Sequence, residues 1–126
     1  MSKIDLEEYE VRNAVIESVS LSDADRGLLS SYLHLSYGDS SGQGFGGYAL
    51  YLPRSFDHHN MLSHAGHWVW RCMQVAGVTS WDMLPGKTIR VARLKADGYN
   101  ATIRGIGHIV EDDWFFPAED FKTESA

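Results

Sequence analysis

The sequence predicts an α+β domain in which an antiparallel sheet of about five strands carries one main helix. Two patterns support this: several runs alternate apolar and polar residues with period two, and one stretch repeats apolar residues at helical spacing. The predicted order is a three-strand meander, the helix, and a two-strand hairpin. With 126 residues, 44% hydrophobic and 22% charged, the chain has the composition of a globular protein with one core.

The two ends of the chain are expected to lie outside this domain. Residues 1–11 form an acidic lead-in with one short helical turn at most, residues 12–117 form the domain, and residues 118–126 form a polar tail. The lead-in does not resemble a signal peptide, and no apolar run approaches the ~20 residues that span a membrane. Cys72 is the single cysteine, so an intrachain disulfide is impossible and the cytosol is the expected compartment.

Alternation predicts the first two strands of the meander. Residues 12–21 place Ala14 and Ile16 on one face and further apolar side chains on the other, so burial on both sides is expected. Residues 28–37 carry leucines on one face and mainly polar side chains on the other. The segment 22–27 is rich in Ser and Asp and favours a hairpin connection between the two strands.

The third strand has an unusual composition. Four glycines fall within residues 42–47, and the strand runs to about Leu52 before Pro53 closes it. Glycines admit close approach by a neighbouring strand, a second subunit or a flat ligand, and Phe45 and Tyr48 supply aromatic rings beside that space. The strand therefore predicts either a tightly packed contact or the edge of a binding site.

One amphipathic helix is predicted over residues 61–75, with Asn60 as its N-cap and Gly77 as its C-cap. Apolar residues at spacings of three and four define its buried stripe. The predicted stripe comprises Leu62, Ala65, Val69, Cys72, Met73 and Ala76. Trp68 and Trp70 are expected to flank this stripe.

The last two strands are predicted over residues 87–94 and 99–110, with a hairpin turn at Asp97-Gly98 between them. One face of the second strand carries small and apolar residues, and the other carries most of the polar side chains that a site requires. That second face comprises Asn100, Thr102, Arg104, Ile106 and His108. The aromatic segment 114–116 is expected to cover an end of the sheet.

Cations are concentrated in the middle of the chain. The net charge is -6, yet seven cations stand against three acids between Arg54 and Arg104. This predicts a local site for a small anion and disfavours a long nucleic acid as partner. Arg104 and Arg90 are the candidates for a phosphate or diphosphate, and Asn100 and Thr102 for ribose hydroxyls. The other candidate ligand-binding residues are His108 and the rings of Phe45, Tyr48 and Tyr99, which could stack on a base. The alternative is that these residues are solvent-exposed polar positions on strand faces and bind no ligand.

No catalytic set is recognisable in the sequence. Cys72 fits a core position, no serine stands in a Gly-x-Ser-x-Gly turn, and the glycine run lacks the Gly-Lys-Ser/Thr of a phosphate-binding loop. Four histidines lie within residues 58–67, but only His64 and His67 share a helix face, and the His-Glu-x-x-His spacing is absent. We therefore expect a protein that is not an enzyme, holds no metal and needs no cofactor.

Three motifs, in this order, resemble one family of small phage proteins. They are GFGGYAL at residues 44–50, WDMLPGKTIRV at residues 81–91, and GIGHI at residues 105–109 followed by DWF at residues 113–115. The resemblance spans residues 27–117 and is to the first type of Thoeris anti-defence protein. Members of this anti-Thoeris family act as sponges that sequester the cyclic ADP-ribose signals of bacterial Thoeris immunity.

The resemblance implies a non-catalytic protein, in the cytoplasm of an infected bacterial host, that binds glycocyclic ADP-ribose and leaves it intact. It also implies self-association as a dimer or up to a hexamer and, as in some members, a separate site for cyclic di- or trinucleotides. The family's stacking ring, Asn and Arg are matched here by Phe45 or Tyr99, Asn100 and Arg104, whereas residues 54–60 depart from the family's linker. Two rival hypotheses stay open: a phage inhibitor that binds a bacterial defence protein through its acidic surface, and a small hydrolase of the same nucleotide.

Overall fold

The computed structural model describes residues 5–25, 28–49, 56–57 and 62–120. Within them, six antiparallel strands form one open sheet and one main helix packs against it, which confirms the α+β prediction with one strand more than expected. The strands are β1 (Tyr9–Asp25), β2 (Leu28–Ser36), β3 (Gly42–Ala49), β4 (Phe56–Asp57), β5 (Leu62–Ser63), β6 (Thr88–Leu94), β7 (Ile103–Gly107) and β8 (Trp114–Phe115). The sheet order is β3-β2-β1-β6-β7-β8, and β4 pairs with β5 separately.

The main helix is α1 (His64–Ala76), and a short helix α2 (Pro117–Asp120) includes the first residues of the predicted polar tail. Three 3-10 helices occupy Leu6–Glu8, Trp81–Met83 and Lys95–Asn100. Gly77 has φ +75° and ends α1 as the predicted C-cap. Among the described helices, none combines the length and the apolar composition that crossing a bilayer requires.

The predicted meander is formed by β1, β2 and β3. β1 starts earlier than expected, at Tyr9, and runs for 17 residues to Asp25. Asp25 pairs with Leu28, so the connection is tighter than the one predicted over residues 22–27. Leu33 and Leu35 of β2 are buried in the core, as the alternation predicts.

A β-bulge at Glu17 changes the predicted faces of β1. The pairing with β2 skips one residue between Ile16 and Ser18. Because of this extra residue, Ile16 and Val19 both contact the core, whereas an unbroken alternation places them on opposite faces. Val15 is 39% exposed, so the prediction that β1 is buried on both sides is wrong at this position.

The buried stripe of α1 is rotated from the predicted one. Trp68, Cys72 and Val75 are fully buried, and the predicted Leu62 belongs to β5. Three predicted stripe residues are only partly buried: Val69, Met73 and Ala76. The large ring of Trp68 can enter the core because it lies against Gly46 of β3, where an added Cβ would come within 3.1 Å of it.

The connection between β6 and β7 is not the predicted hairpin turn. Asp97 and Gly98 lie inside the 3-10 helix Lys95–Asn100, so β7 begins at Ile103 and not at Tyr99. An Asp-Gly pair favours a two-residue turn by local preference alone. Here residues 95–100 form that helix, and β7 begins with Ile103 paired to Arg93 of β6.

A second β-bulge, at Arg104, breaks the polar stripe predicted for β7. The pairing with β6 skips this residue between Ile103 and Gly105. Ile103 and Ile106 therefore both face the core, although they are three residues apart. The stripe predicted as one face comprised Asn100, Thr102, Arg104, Ile106 and His108. It is not a single face, because Ile106 is fully buried while Arg104 and Thr102 are exposed.

Aromatic rings from the C-terminal segment cover the outer face of β6 and β7. A Cβ at Gly105 would lie 2.8 Å from the Phe116 ring, and one at Gly107 would lie 2.6 Å from the Trp114 ring. Ala92, also on this face, is fully buried. The segment 114–116, predicted to cover an end of the sheet, thus supplies its edge strand β8 and covers its outer face, where the two glycines make room for its rings.

Arg71 of α1 ties this C-terminal segment to the helix. Its Nη2 donates to Asp113 Oδ1 at 2.9 Å and to the Trp114 carbonyl at 2.7 Å. His67, one turn earlier, contacts Asp120 at 2.7 Å. The helix and the C-terminal segment thus hold each other in place at the β8 side of the sheet.

Several predicted features lie outside the described residues. They are the end of the third strand at Leu52 and Pro53, the histidines His58 and His59, the N-cap Asn60, and residues 121–126 of the tail.

Candidate functional site

Phe45, a predicted stacking residue, lies in the core. Its ring is 2% exposed and stacks on Trp68 with 6.0 Å between centroids, while the edge of Phe115 meets it at 6.3 Å. The partners are the chain's own aromatic residues, and they join β3 to α1 and β8. A nucleotide base therefore has no access to this ring in the folded structure.

Arg90 and His108 are engaged with the loop after β7. Arg90 Nε donates to the His108 carbonyl at 2.7 Å and Nη2 to the Glu111 carbonyl at 2.8 Å, while its guanidinium lies 4.8 Å from the Trp114 ring centroid. His108 Nδ1 accepts the N–H groups of Val110 and Glu111. Both side chains shape this loop and do not point to a shared site.

The other predicted site residues are distributed differently. Arg104 is exposed and pairs with Asp97, its Nη2 lying 3.0 Å from Asp97 Oδ2. Thr102, two residues earlier in the chain, is also exposed. The side chains of the remaining three lie outside the description, although their backbones belong to described elements: Tyr48, Tyr99 and Asn100.

A different set of polar residues converges at one end of the sheet, on the face that α1 covers elsewhere. On β1, β3 and β6, and directly after β2, a polar or amphipathic residue follows two positions from a buried one on the inward face. The pairs of buried and polar residue are Ala14 and Arg12 on β1, Leu35 and Tyr37 after β2, Phe45 and Gln43 on β3, and Val91 and Arg93 on β6. These four polar residues thus continue the core face at one end of the sheet, and we call the polar surface that they form the groove.

The groove encloses a cavity of about 330 Å³. Its lining residues are Arg12, Tyr37, Ser41, Gly42, Gln43, Arg93 and Ala101. Two of these are arginines and none is acidic. A cavity of this size with two guanidinium groups in its lining can take an anionic group of a small molecule.

Both arginines lie near the ring of Tyr37. The guanidinium carbon of Arg12 is 4.1 Å from the ring centroid and that of Arg93 is 5.9 Å from it. Each also has a carboxylate partner: Arg12 lies 3.5 Å from Asp39, and Arg93 is hydrogen-bonded to Glu10. The ring and the two carboxylates orient the guanidinium groups before any ligand arrives.

A short hydrogen-bond relay fixes the floor of the groove. The Tyr37 hydroxyl donates to Gln43 Oε1, and Gln43 Nε2 donates to the Ala101 carbonyl at 2.8 Å. Burial raises the pKa of Tyr37, and the charges of Arg93 and Arg12 oppose that rise in part. The hydroxyl therefore stays protonated at neutral pH and holds the relay in one direction.

Asp39 is ionised at the rim of the groove. Hydrogen bonds from the Ser41 hydroxyl and backbone N–H are the largest causes that lower the pKa of this carboxyl, and the charge of Arg12 adds a smaller effect. The same bonds close the turn between β2 and β3. The turn thus presents Ser41 to the cavity and holds Asp39 beside Arg12.

We expect Tyr37 to titrate above its ordinary pKa of 10.0. Because the folded protein keeps a proton that the unfolded chain loses, its free energy of unfolding should fall as the pH rises above that value. Tyr37→Phe should remove the Tyr37 part of this dependence, leaving that of Tyr9, whose pKa is also raised by burial. It should lower stability near neutral pH by about 1 kcal/mol, since it deletes the bond to Gln43. Tyrosinate absorbance and chemical unfolding at several pH values test this, and a Tyr37 that ionises at or below the ordinary value would contradict it.

The sequence contains a signal for the groove that strand-by-strand reading overlooks. Period-two alternation places Arg12, Tyr37, Gln43 and Arg93 on inward faces, where such residues are uncommon. Their convergence depends on the strand order, which brings β6 beside β1 although they are far apart in the chain. The four positions can be recognised as one cluster only when the strand order is known.

The described residues contain no group of three His, Cys, Asp or Glu side chains that could hold a metal ion. Comparison with known proteins finds no matching family model, no matching curated protein and no matching solved structure.

Proposed function

We propose that this protein binds a phosphate-bearing small molecule of the cyclic ADP-ribose class in the groove and holds it without cleaving it. The observation that carries the proposal is the pair of guanidinium groups, Arg12 and Arg93, within 6 Å of the Tyr37 ring at a cavity of about 330 Å³. A guanidinium fork matches the geometry of phosphate oxygens and is always charged.

The neighbours of the two arginines support a ligand with both charge and polarity. Ser41 can donate or accept through its hydroxyl, and the Gln43 amide, already fixed at both ends, adds a rigid polar surface. The Arg93 side chain is only 16% exposed. Water therefore screens its charge less, and a phosphate bound to it is attracted more strongly. These features favour a compact anion over an extended polyanion.

The choice of the cyclic ADP-ribose class comes from the three sequence motifs that resemble the anti-Thoeris sponge family. A sponge lowers the free concentration of its signal by mass action, so it needs affinity and abundance only. We propose that the protein does this in the cytoplasm of an infected bacterium. The same resemblance is the basis for proposing that it self-associates as a dimer or hexamer.

Ligand recovery tests the proposal directly. The protein is mixed with glycocyclic and other cyclic ADP-ribose isomers, separated from free ligand, and heated, and the released material is identified by mass spectrometry. We expect intact ligand in the released fraction. An altered ligand would indicate the rival hydrolase, and no retained ligand would favour the rival inhibitor that binds a defence protein directly.

A matched pair of arginine variants locates the site. Arg93→Gln should weaken ligand binding about 10- to 100-fold, because it removes a charge-assisted hydrogen bond worth roughly 1.5–3 kcal/mol. Arg104→Gln should bind like the unmodified protein, since Arg104 is exposed outside the groove and pairs with Asp97. Titration calorimetry measures both, with thermal unfolding as the control for folding. The reverse order of effects would place the site at the β7 stripe predicted from the sequence.

A further inference from the structure

A second cavity of about 330 Å³ adjoins the groove and shares Arg93 and Ala101 with it. Its lining residues are Glu10, Arg93, Leu94, Lys95, Gly98 and Ala101. We propose that the two cavities form one two-part site, in which the Arg12 side takes the phosphate and the Glu10 side takes a hydroxylated sugar of the same ligand. This inference rests on the proposed function in assuming a phosphate-bearing ligand, and it names the ligand's second group.

The charges of the two cavities differ. The first is lined by Arg12 and Arg93 without an acid, whereas the second adds Glu10 and Lys95, one of each sign. A second phosphate would meet the Glu10 carboxylate there and be repelled. A neutral group with several hydroxyls can donate to Glu10 and accept from Lys95. The charge balance therefore assigns the sugar to the second cavity.

Glu10 is placed for this role by the sheet. It is the direct cross-strand partner of Arg93 between β1 and β6, and its Oε1 accepts from both Nε and Nη2 of that arginine. Within the described part of the chain, the Glu10 carboxylate accepts hydrogen bonds at Oε1 alone, so Oε2 can accept from a sugar hydroxyl. Carboxylates in other nucleotide sites bind ribose hydroxyls in this way.

Arg93 connects the two parts. A phosphate entering the first cavity competes with Glu10 for the Arg93 guanidinium, whereas a sugar in the second cavity donates a hydrogen bond to Glu10. Glu10 should therefore oppose the binding of a bare phosphate, whereas for a sugar phosphate its contact with the sugar should offset that opposition. This difference between two ligands of similar charge is the signature of a two-part site.

The test measures the affinity for two probes, inorganic phosphate and ribose 5-phosphate, by NMR titration of the full-length protein. Glu10→Gln should tighten phosphate about 3- to 10-fold. It should leave the affinity for ribose 5-phosphate unchanged or lower it, because the freed Arg93 helps its phosphate while its sugar loses the contact with a charged carboxylate. Glu10→Val, which removes both oxygens, should lower the preference for ribose 5-phosphate further. Asp39→Asn is the matched control, since Asp39 pairs with Arg12 but lines neither cavity; it should tighten both probes by the same factor.

Every outcome bears on the two-part site. If Glu10→Gln shifts both probes equally, as Asp39→Asn is expected to do, the sugar compartment does not exist. If neither probe binds the unmodified protein, the inference is also overturned. If the probes behave as expected but no cyclic ADP-ribose isomer is retained, the proposed function fails and the two-part site stands. If an isomer is retained but Glu10→Gln shifts the affinity for both probes equally, the proposed function stands and the two-part site fails.

Discussion

Phe45→Ala is expected to lower the free energy of unfolding by about 3–5 kcal/mol. The Phe45 ring is 2% exposed and lies between Trp68 and Phe115, so its removal leaves a cavity where α1, β3 and β8 meet. The loss combines the transfer free energy of the ring with incomplete collapse of its large rigid neighbours. Denaturant unfolding followed by tryptophan fluorescence measures the effect.

Tyr32→Ala is the control for this prediction. Tyr32 is also aromatic and lies on the adjacent strand, but it is 41% exposed and its ring stacks on the exposed His34. We expect that change to cost less than about 1 kcal/mol. The opposite pattern for Phe45→Ala, with stability kept and ligand affinity lost, would restore the hypothesis that Phe45 stacks on a ligand base.

Much of the fold can be predicted because period-two alternation fixes which residues of a strand share a face. Leu33 and Leu35 on β2, and Ile89 and Val91 on β6, are buried as the pattern requires. The apolar residues at helical spacing likewise identify α1. These signals are local, and each is read within one element.

Two errors in the predicted strand faces have the same cause, which is a single extra residue in the strand. The bulges at Glu17 and Arg104 move every later side chain to the opposite face. The residue types Glu17 and Arg104 do not indicate a bulge, since the position of a bulge depends on the register with the partner strand. The polar stripe of β7 was the most site-like pattern in the sequence. Its bulge can be recognised only when the pairing with β6 is known.

The groove could not be predicted for a related reason. Its two arginines stand on strands that are neighbours in the sheet but are separated by most of the chain. Arg93 pairs with Glu10 through this non-local register. Charge counting along the sequence found a cation-rich middle region but could not include Arg12, which lies within the otherwise acidic start of the chain.

The glycine-rich strand has a structural explanation in the described residues. The β2–β3 pairing skips a residue between Gly46 and Tyr48, and Gly46 has φ +125°. A Cβ at Gly46 would lie 2.3 Å from the Ser31 carbonyl oxygen and 3.1 Å from the Trp68 ring. The close neighbour of this glycine is therefore the backbone of β2, together with a ring of α1.

Gly46→Ala is accordingly expected to destabilise the fold by about 3 kcal/mol or more. A positive φ costs an L-residue about 1–2 kcal/mol, and the clash with a backbone oxygen cannot be relieved by a side-chain rotation, so β2 and β3 must separate.

Gly44→Ala, two residues earlier, is the control. Its Cβ would meet the ring edge of the exposed Tyr32 at 3.0 Å, and that ring can turn away. We expect a loss below about 1 kcal/mol there. Chemical unfolding of the two variants compares them directly. Equal losses would mean that the register of β3, and with it the packing of Trp68 on Gly46, differs from the one described.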